Sequence, residues 1–334
     1  MKRVVAVLVL LTVLALAFSV SAQDEPIPLR IGYQRGDLFS LAQEQGWIDE
    51  VFGEDYDVEL TLFPAGPPLL EALNAGAIDF GGTGDAPPVF AQASGVPLRY
   101  VASQRAYGNE AIIVPAESDI ETLEDLAGKR IAYVRGSSAN YLFVLALQAG
   151  GLSVDDVESV PLAPADASVA FQGGNIDAWV IWDPFLTSAQ LQSNARVLVR
   201  ASELHDKRVY FLASQAFTEA QPDTLPLLVD LLQRGVEYIR EDPEGYAAYL
   251  EAQTTVPADL WRAAFIDAGE PADIEYINTS IVAAQQAVAD TFFELELIPQ
   301  AITVADAVWT PTGVIPEATP EATSEATAEA TPQG

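Results

Sequence analysis

Short hydroxyls and an amide stand where this sequence turns from glycine-bearing loops into helices. Thr83-Gly84-Asp85 precedes a helix with Pro87 and Pro88 in its first turn, Ser137-Ser138 opens the helix carrying Tyr141, and Gln34 precedes the helix from Leu38. A helix N-terminus exposes unpaired N–H groups and about half a positive charge, so each is a seat for an anion. Hydroxyl and amide groups donate hydrogen bonds without adding charge, which suits a tetrahedral or planar oxyanion drawn out of water. Each residue also has a local reading. Ser137 is accounted for equally well as an N-cap, and Gly84 as a turn residue. Asp85 reads better as a cap, because a bare carboxylate repels an anion. Trp179 and Trp182, three apart on a strand, face opposite sides, which puts Trp179 in the core and Trp182 at the loop, able to close over an apolar ligand tail. Asp183 and Glu110 suit an amine, and equally a helix cap and an interdomain hydrogen bond. Arg35, Arg105 and Arg208 are further anion candidates, although most exposed arginines are solvated.

Other chemistries lack their residues. The chain has no cysteine, which excludes disulfides, thiolate metal sites, cysteine nucleophiles and a lipidated cysteine tether. Its one histidine, His205, lies in the polar run SELHDKR and reads as a solvated residue. There is no Walker-type loop, and GGTGD lacks the spacing of a dinucleotide fingerprint. No base-and-nucleophile set emerges. No cofactor, no metal and no enzyme activity are expected.

The elements that would position these residues follow a strand–loop–helix rhythm. Ala72–Pro88 reads as a helix end, a buried strand Ala77–Phe80 and a glycine-rich loop. Ala170–Phe185 echoes it: Gly76, Ile78, Asp79 and Asp85 recur as Gly174, Ile176, Asp177 and Asp183, each 98 positions on. One supersecondary unit used twice implies two similar lobes, and a clamp if both loops face one cleft. Strands are expected at Pro28–Tyr33, Val58–Phe63 and Pro97–Ser103 in the first lobe. Arg130–Val134, Val157–Pro161, Ala178–Ile181 and Arg196–Val199 are expected in the second. Ala111–Val114 and Tyr210–Ala213 read as strands running between the lobes. Alternating strands and helices predict parallel α/β sheets, whose ligands sit outside the carboxyl ends of the strands. Leu225–Phe293 is mostly helical by its 3.6-residue period and is expected to pack back on the first lobe. The boundaries expected are 28–112 with 210–309 for lobe 1 and 113–209 for lobe 2.

Both ends differ from this body. Lys2 and Arg3, the apolar run Val4–Phe18 and Val20-Ser21-Ala22 form the three parts of a secretory signal, with cleavage expected after Ala22. The mature protein is then periplasmic or extracellular, and not lipidated. Losing Lys2 and Arg3 takes the 16 basic residues to 14 against 48 acidic ones, a net charge of −34. That field argues against nucleic acid and anionic lipid. A small anion in a local cluster of donors remains possible, because exposed charges are screened beyond roughly 8–10 Å. Residues 310–334, with the repeat E-A-T-x, contain no aromatic residue and are expected to be a disordered tail.

LRIGYQRG, FPAGPPLLEALNAGAIDFGGTGDAPPVFAQASG, YVRGSS and LAPADASVAFQGGNIDAWVIWDP together resemble the periplasmic substrate-binding proteins of ABC importers for aliphatic sulfonates, relatives of the taurine and nitrate binders. The resemblance covers roughly residues 29–309. It implies a type II periplasmic-binding-protein fold, two α/β lobes joined by two hinge crossovers, working as a monomer that delivers a small anionic ligand to an ABC permease. It also implies that Gln34, Thr83, Gly84, Asp85, Ser137 and Ser138 hold a sulfonate head, with Trp182 near the alkyl side. Asn140 departs from the histidine common in such proteins, which bears on head-group preference. Taurine, nitrate or bicarbonate, and a pyrimidine or aromatic acid are the alternative cargoes. An enzyme on the same fold is the alternative of another class.

Overall fold

The computed structural model describes residues 25–106, 110–254, 256–268 and 271–318. The expected secretory signal lies outside them, as do residues 319–334 of the tail.

The first lobe opens with β1 (Ile27–Gln34), α1 (Leu38–Glu44) and α2 (Trp47–Phe52). Asp37 caps α1: its carboxylate accepts from Ser40 N at 2.9 Å and from Gln34 N at 2.8 Å. β2 (Tyr56–Phe63), α3 (Gly66–Asn74), β3 (Phe80–Gly84), α4 (Ala86–Ala93) and β4 (Leu98–Arg105) follow. The second lobe runs through β5 (Glu110–Val114), β6 (Arg130–Tyr133), α5 (Ser138–Ala149), β7 (Glu158–Pro161), α6 (Pro164–Gln172), β8 (Ala178–Trp182), α7 (Phe185–Gln192) and β9 (Arg196–Arg200). The chain then returns through β10 (Arg208–Ser214), α8 (Gln215–Ala220), α9 (Thr224–Glu241), α10 (Pro243–Thr254), α11 (Ala258–Ala268), β11 (Ile274–Tyr276) and α12 (Thr279–Glu294).

Two sheets result, in the orders β11-β4-β10-β3-β1-β2 and β7-β6-β8-β5-β9. In the first, β1 is parallel to β2 and β3, while β10 is antiparallel to β3 and β4. In the second, β6 is parallel to β7 and β8, and β5 is antiparallel to β8 and β9. β5 therefore belongs to the second sheet from Glu110, and β10 to the first from Arg208. Neither strand runs between the lobes, contrary to expectation. The return crossover is the stretch 201–207 between β9 and β10, and Ala106 N, just past the end of β4, donates to Lys207 O at 2.9 Å.

The glycine-rich run is also placed differently. The expected strand Ala77–Phe80 lies three residues later, and GGTG is itself the strand β3. Sterics explain this: a Cβ on Gly81 would lie 2.8 Å from Gly32 O, and one on Gly82 would lie 3.1 Å from the Phe211 ring. Glycine is what lets a central strand approach both neighbours this closely.

The echo between the lobes is structural. Asp79 accepts from Arg30 N at 3.0 Å and from its Nε and Nη2 at 2.9 and 2.6 Å. Asp177 accepts from Arg130 N, Nε and Nη2 at 2.8, 3.0 and 2.7 Å. Each pair pins the turn before a central strand to the start of its neighbour. The strand ends, where chemistry is expected, are thereby held in register.

In the first lobe α9 lays Leu225, Leu228, Leu232 and Val236 against Leu38, Leu41 and Phe39, a stripe of 3.6-residue period packed on α1. Each such fully buried side chain contributes about 1.5–3 kcal/mol. The C-terminal stretch stays ordered past residue 310. Thr279 N donates to Pro316 O at 3.0 Å and Thr279 Oγ1 meets Glu317 Oε2 at 3.2 Å, so residues 310–318 are packed on the start of α12 rather than belonging to a disordered tail. The proline-punctuated stretch before the E-A-T repeats thus ends the body.

Candidate functional site: the cleft between the lobes

A cavity of about 500 Å³ opens between the lobes, lined by the carboxyl ends of β1, β3, β4 and β8, the starts of α1 and α5, and one face of α10 and α11. Its lining combines polar groups with the apolar side chains of Leu38, Trp182, Leu191, Leu250, Leu260 and Trp261. The two echoed loops do face one space.

Gln34, Thr83, Gly84, Ser137 and Ser138 all line this cavity. Gln34 Nε2 donates to Gly82 O at 3.1 Å and Thr83 Oγ1 to Gly84 O at 2.9 Å. Ser137 precedes α5 without capping it by its side chain; its hydroxyl donates to Val134 O at 2.7 Å. Gly84 is not a turn residue. A Cβ built on it would lie 2.8 Å from both Cβ and Oγ of Ser138, so its bare α-carbon lets the first lobe touch the start of α5.

Asp85 and Asn140 do not line the cleft. Asp85 is 2% exposed, and its Oδ1 accepts from Ala86 N at 2.8 Å. Asn140 Oδ1 accepts from Gly136 N at 3.0 Å and so braces the loop before α5. Trp182 and Asp183 do line it, while Trp179 is buried in the second core. Asp183 Oδ1 accepts from Thr187 N and Oγ1 at 3.0 and 2.7 Å, a cap on α7.

The cations fall out unevenly. Arg35 and Arg105 line the cleft; Arg35 Nη1 donates to Gln253 O at 2.9 Å, and Arg105 Nε pairs with Asp206 at 2.7 Å. Arg208 does not line it: its side chain is buried, with Nε 2.9 Å from Asp206 Oδ2. Two cleft cations, Arg200 and Lys207, carry no local motif and escaped sequence reasoning.

His205 is corrected outright. Its side chain is 11% exposed, not solvated, and Nε2 lies 3.0 Å from Asp85 Oδ2. Its ring meets Tyr141 of α5 edge-on at 4.9 Å. SELHDKR is polar because it forms the hinge, where charges pair with one another. Glu110 is 1% exposed and paired with Lys207, which fits the interdomain role rather than an amine contact.

Among the described residues no cluster of histidine and carboxylate side chains could hold a metal ion, and no helix is long and apolar enough to cross a membrane.

Two α/β lobes, two crossovers and a ligand-sized cleft at the strand ends define a solute-binding protein of the type II periplasmic fold. Residues 39–246 match the family described as NMT1/THI5 like, and the chain belongs to that family. It is 37% identical over 297 residues to a protein of Escherichia coli named as an aliphatic sulfonates-binding protein, covering 88% of this chain and 92% of the relative. The crystal structure of the periplasmic aliphatic sulphonate binding protein SsuA from Escherichia coli superposes with a TM-score of 0.77 at 36% identity, over 85% of this chain and 98% of that one. The alkanesulfonate-binding protein SsuA of Xanthomonas axonopodis pv. citri, bound to MOPS, gives 0.79 at 36% identity, over 85% and 99%. These relatives are binding proteins, and this chain is a binding protein rather than an enzyme.

Proposed function

We propose that the chain is an extracytoplasmic binding protein that captures an organic sulfonate between its lobes and presents it to an ABC permease. The observation that carries this reading is the mixed lining of the cleft. A hydroxyl of the second lobe and the Lys207 ammonium converge on Gly84 of the first, and Leu38, Trp182, Leu191, Leu250, Leu260 and Trp261 of the same cleft suit an alkyl or ring substituent. A tetrahedral head that is an anion and a weak base fits such donors.

In this reading Gln34, Thr83, Gly84, Ser137 and Ser138 surround the head group and Trp182 covers the tail. Asp85 and Asn140 act by holding the starts of α4 and α5, and Asp183 by capping α7 beside the tail. The chain works as a monomer, exported and cleaved after Ala22, with lobe 1 from segments 28–112 and 210–309 trimmed to the strand bounds described above. Closed and open states exchange, and a ligand touching both lobes favours the closed one.

An aminoalkanesulfonate is a second reading, favoured by Asp183. Its carboxylate lines the cleft, with only Oδ1 engaged in hydrogen bonds among the described residues.

Thermal unfolding of the mature chain against alkanesulfonates, taurine, sulfate, nitrate and a matched carboxylate tests both. A ligand at a hundred times its Kd stabilises the native state by about 2.7 kcal/mol, several degrees in a body of this size. A shift with alkanesulfonates supports the reading, a shift with taurine alone supports the second, and no shift with any sulfonate contradicts both.

A further inference from the structure

Where the crossovers meet, behind the proposed head-group seat, four ionisable side chains form one nearly dry cluster. Asp85, Glu110 and Lys207 are 2%, 1% and 5% exposed. The Lys207 ammonium is paired with the Glu110 carboxylate, and His205 Nε2 lies on Asp85 Oδ2. Burial pushes the Lys207 pKa down, but Glu110 and Asp85 outweigh it and hold it above its ordinary value. Burial pushes Asp85 up, and Lys207, His205 and the Ala86 N–H together bring it below. Lys207 and Asp85 therefore both carry their charges.

Of these four only Lys207 also lines the cleft. One point shows how close it comes to the seat. A Cβ built on Gly84 would lie 2.8 Å from Ser138 Oγ and 3.3 Å from Lys207 Nζ. A hydroxyl from the second lobe and an ammonium from the return crossover thus converge on the same face of Gly84.

We propose that Lys207 supplies the positive charge of the anion seat and that Glu110, paired behind it, sets how strongly that charge acts. The inference rests on the cleft being an anion site. A cation in a low-dielectric pocket attracts an anion strongly, whereas one already paired with a carboxylate acts as a weaker, shorter-ranged dipole. A pair serving only as a buried brace between the crossovers would behave differently. Breaking it from either side would then loosen the protein and move anion affinity in the same direction. If Lys207 is the seat's charge, the two sides move affinity in opposite directions.

The test uses Glu110→Gln, Lys207→Gln, the double variant and Lys207→Arg in the full mature chain. It measures calorimetric Kd values for octanesulfonate, sulfate and nitrate, with thermal unfolding to confirm folding. We expect Glu110→Gln to tighten anion binding about tenfold and Lys207→Gln to weaken it about tenfold or more. The double variant should follow Lys207→Gln, and Lys207→Arg should stay within about threefold of wild type. Same-direction changes in the two single variants, or Lys207→Gln binding within about twofold of wild type, overturn the proposal. If Lys207→Gln does not fold, Glu110→Gln, which keeps the cation, decides: no tightening overturns it. A wild type that binds no anion brings down the cleft's reading as well. A wild type that binds while the variants bind alike brings down only this proposal.

Discussion

Asp183 does two jobs with one carboxylate. Its Oδ1 caps α7 through Thr187, and the group still faces the cleft. Burial raises its pKa from 3.8 to about 6, against the hydrogen bonds from Thr187 and the charge of Arg200. Asp37, across the cleft at the start of α1, is likewise raised to about 6 by burial despite three backbone N–H groups. A carboxyl whose folded pKa lies above its unfolded one makes the native state bind the proton more tightly. Its contribution then favours folding as pH falls from 7 through 6 toward 4, and that gain is lost again as pH rises through 6. Stability of the unliganded protein should therefore increase between pH 7 and pH 5. Asp183→Asn, which keeps the Oδ1 acceptor, should remove about 1 kcal/mol of that increase after discounting for partial exposure. Urea melts of both proteins at pH 7 and pH 5 check it; equal pH dependence in the two contradicts it. Sequence reasoning found Asp183, Trp182, Thr83 and the paired serines because each stands at a strand end or helix start, which the hydrophobic period reveals. It missed Lys207 and Arg200 and misread His205, because their environment is supplied by residues far off in the chain: Asp85 is 120 positions from His205.

At the level of elements, the starts of α4 and α5 meet face to face, and Gly84 is the contact. Ser138 occupies the space a side chain there would take. Gly84→Ala should cost about 1–3 kcal/mol in the closed arrangement, as overpacking does, and little in an open one. The expected result is a sulfonate Kd raised about tenfold, with the thermal stability of the unliganded protein changed much less. An unchanged Kd would contradict the role given to that contact. The strand–helix alternation made the two sheets readable, yet the glycine run of β3 was read as a loop. Glycine commonly breaks strands, and only the three-dimensional neighbours Gly32, Leu69 and Phe211 reveal that it is needed inside one. β5 and β10 were read as interlobe strands for a related reason. They are apolar segments flanking the hinge, and pairing, which no single segment encodes, assigns each wholly to one sheet. The IDxxxxxD echo was legible, but as evidence of duplication rather than of a ligand site. Its first aspartates bind Arg30 and Arg130, and only its second ones reach the hinge and the cleft.

For the whole molecule, a strongly acidic chain must hold an anion where its own field opposes one. In the proposed reading it does so locally, with two helix starts, several neutral donors and one buried lysine facing a cleft that also carries an apolar lining. Contacts of Tyr141 in the second lobe with His205 on the crossover and Phe292 in the first, at 4.9 and 5.5 Å between rings, brace the lobes against each other. A ligand touching both lobes adds to this bracing only if its head matches the donors and its tail the apolar lining. The most direct test is a calorimetric titration of the mature protein at pH 7 with octanesulfonate and, separately, nonanoate. Both have the same tail and the same charge, and only the head differs. The account predicts that the sulfonate binds at least about a hundredfold more tightly, a difference of about 2.7 kcal/mol. Equal binding, or binding of nonanoate alone, would contradict it.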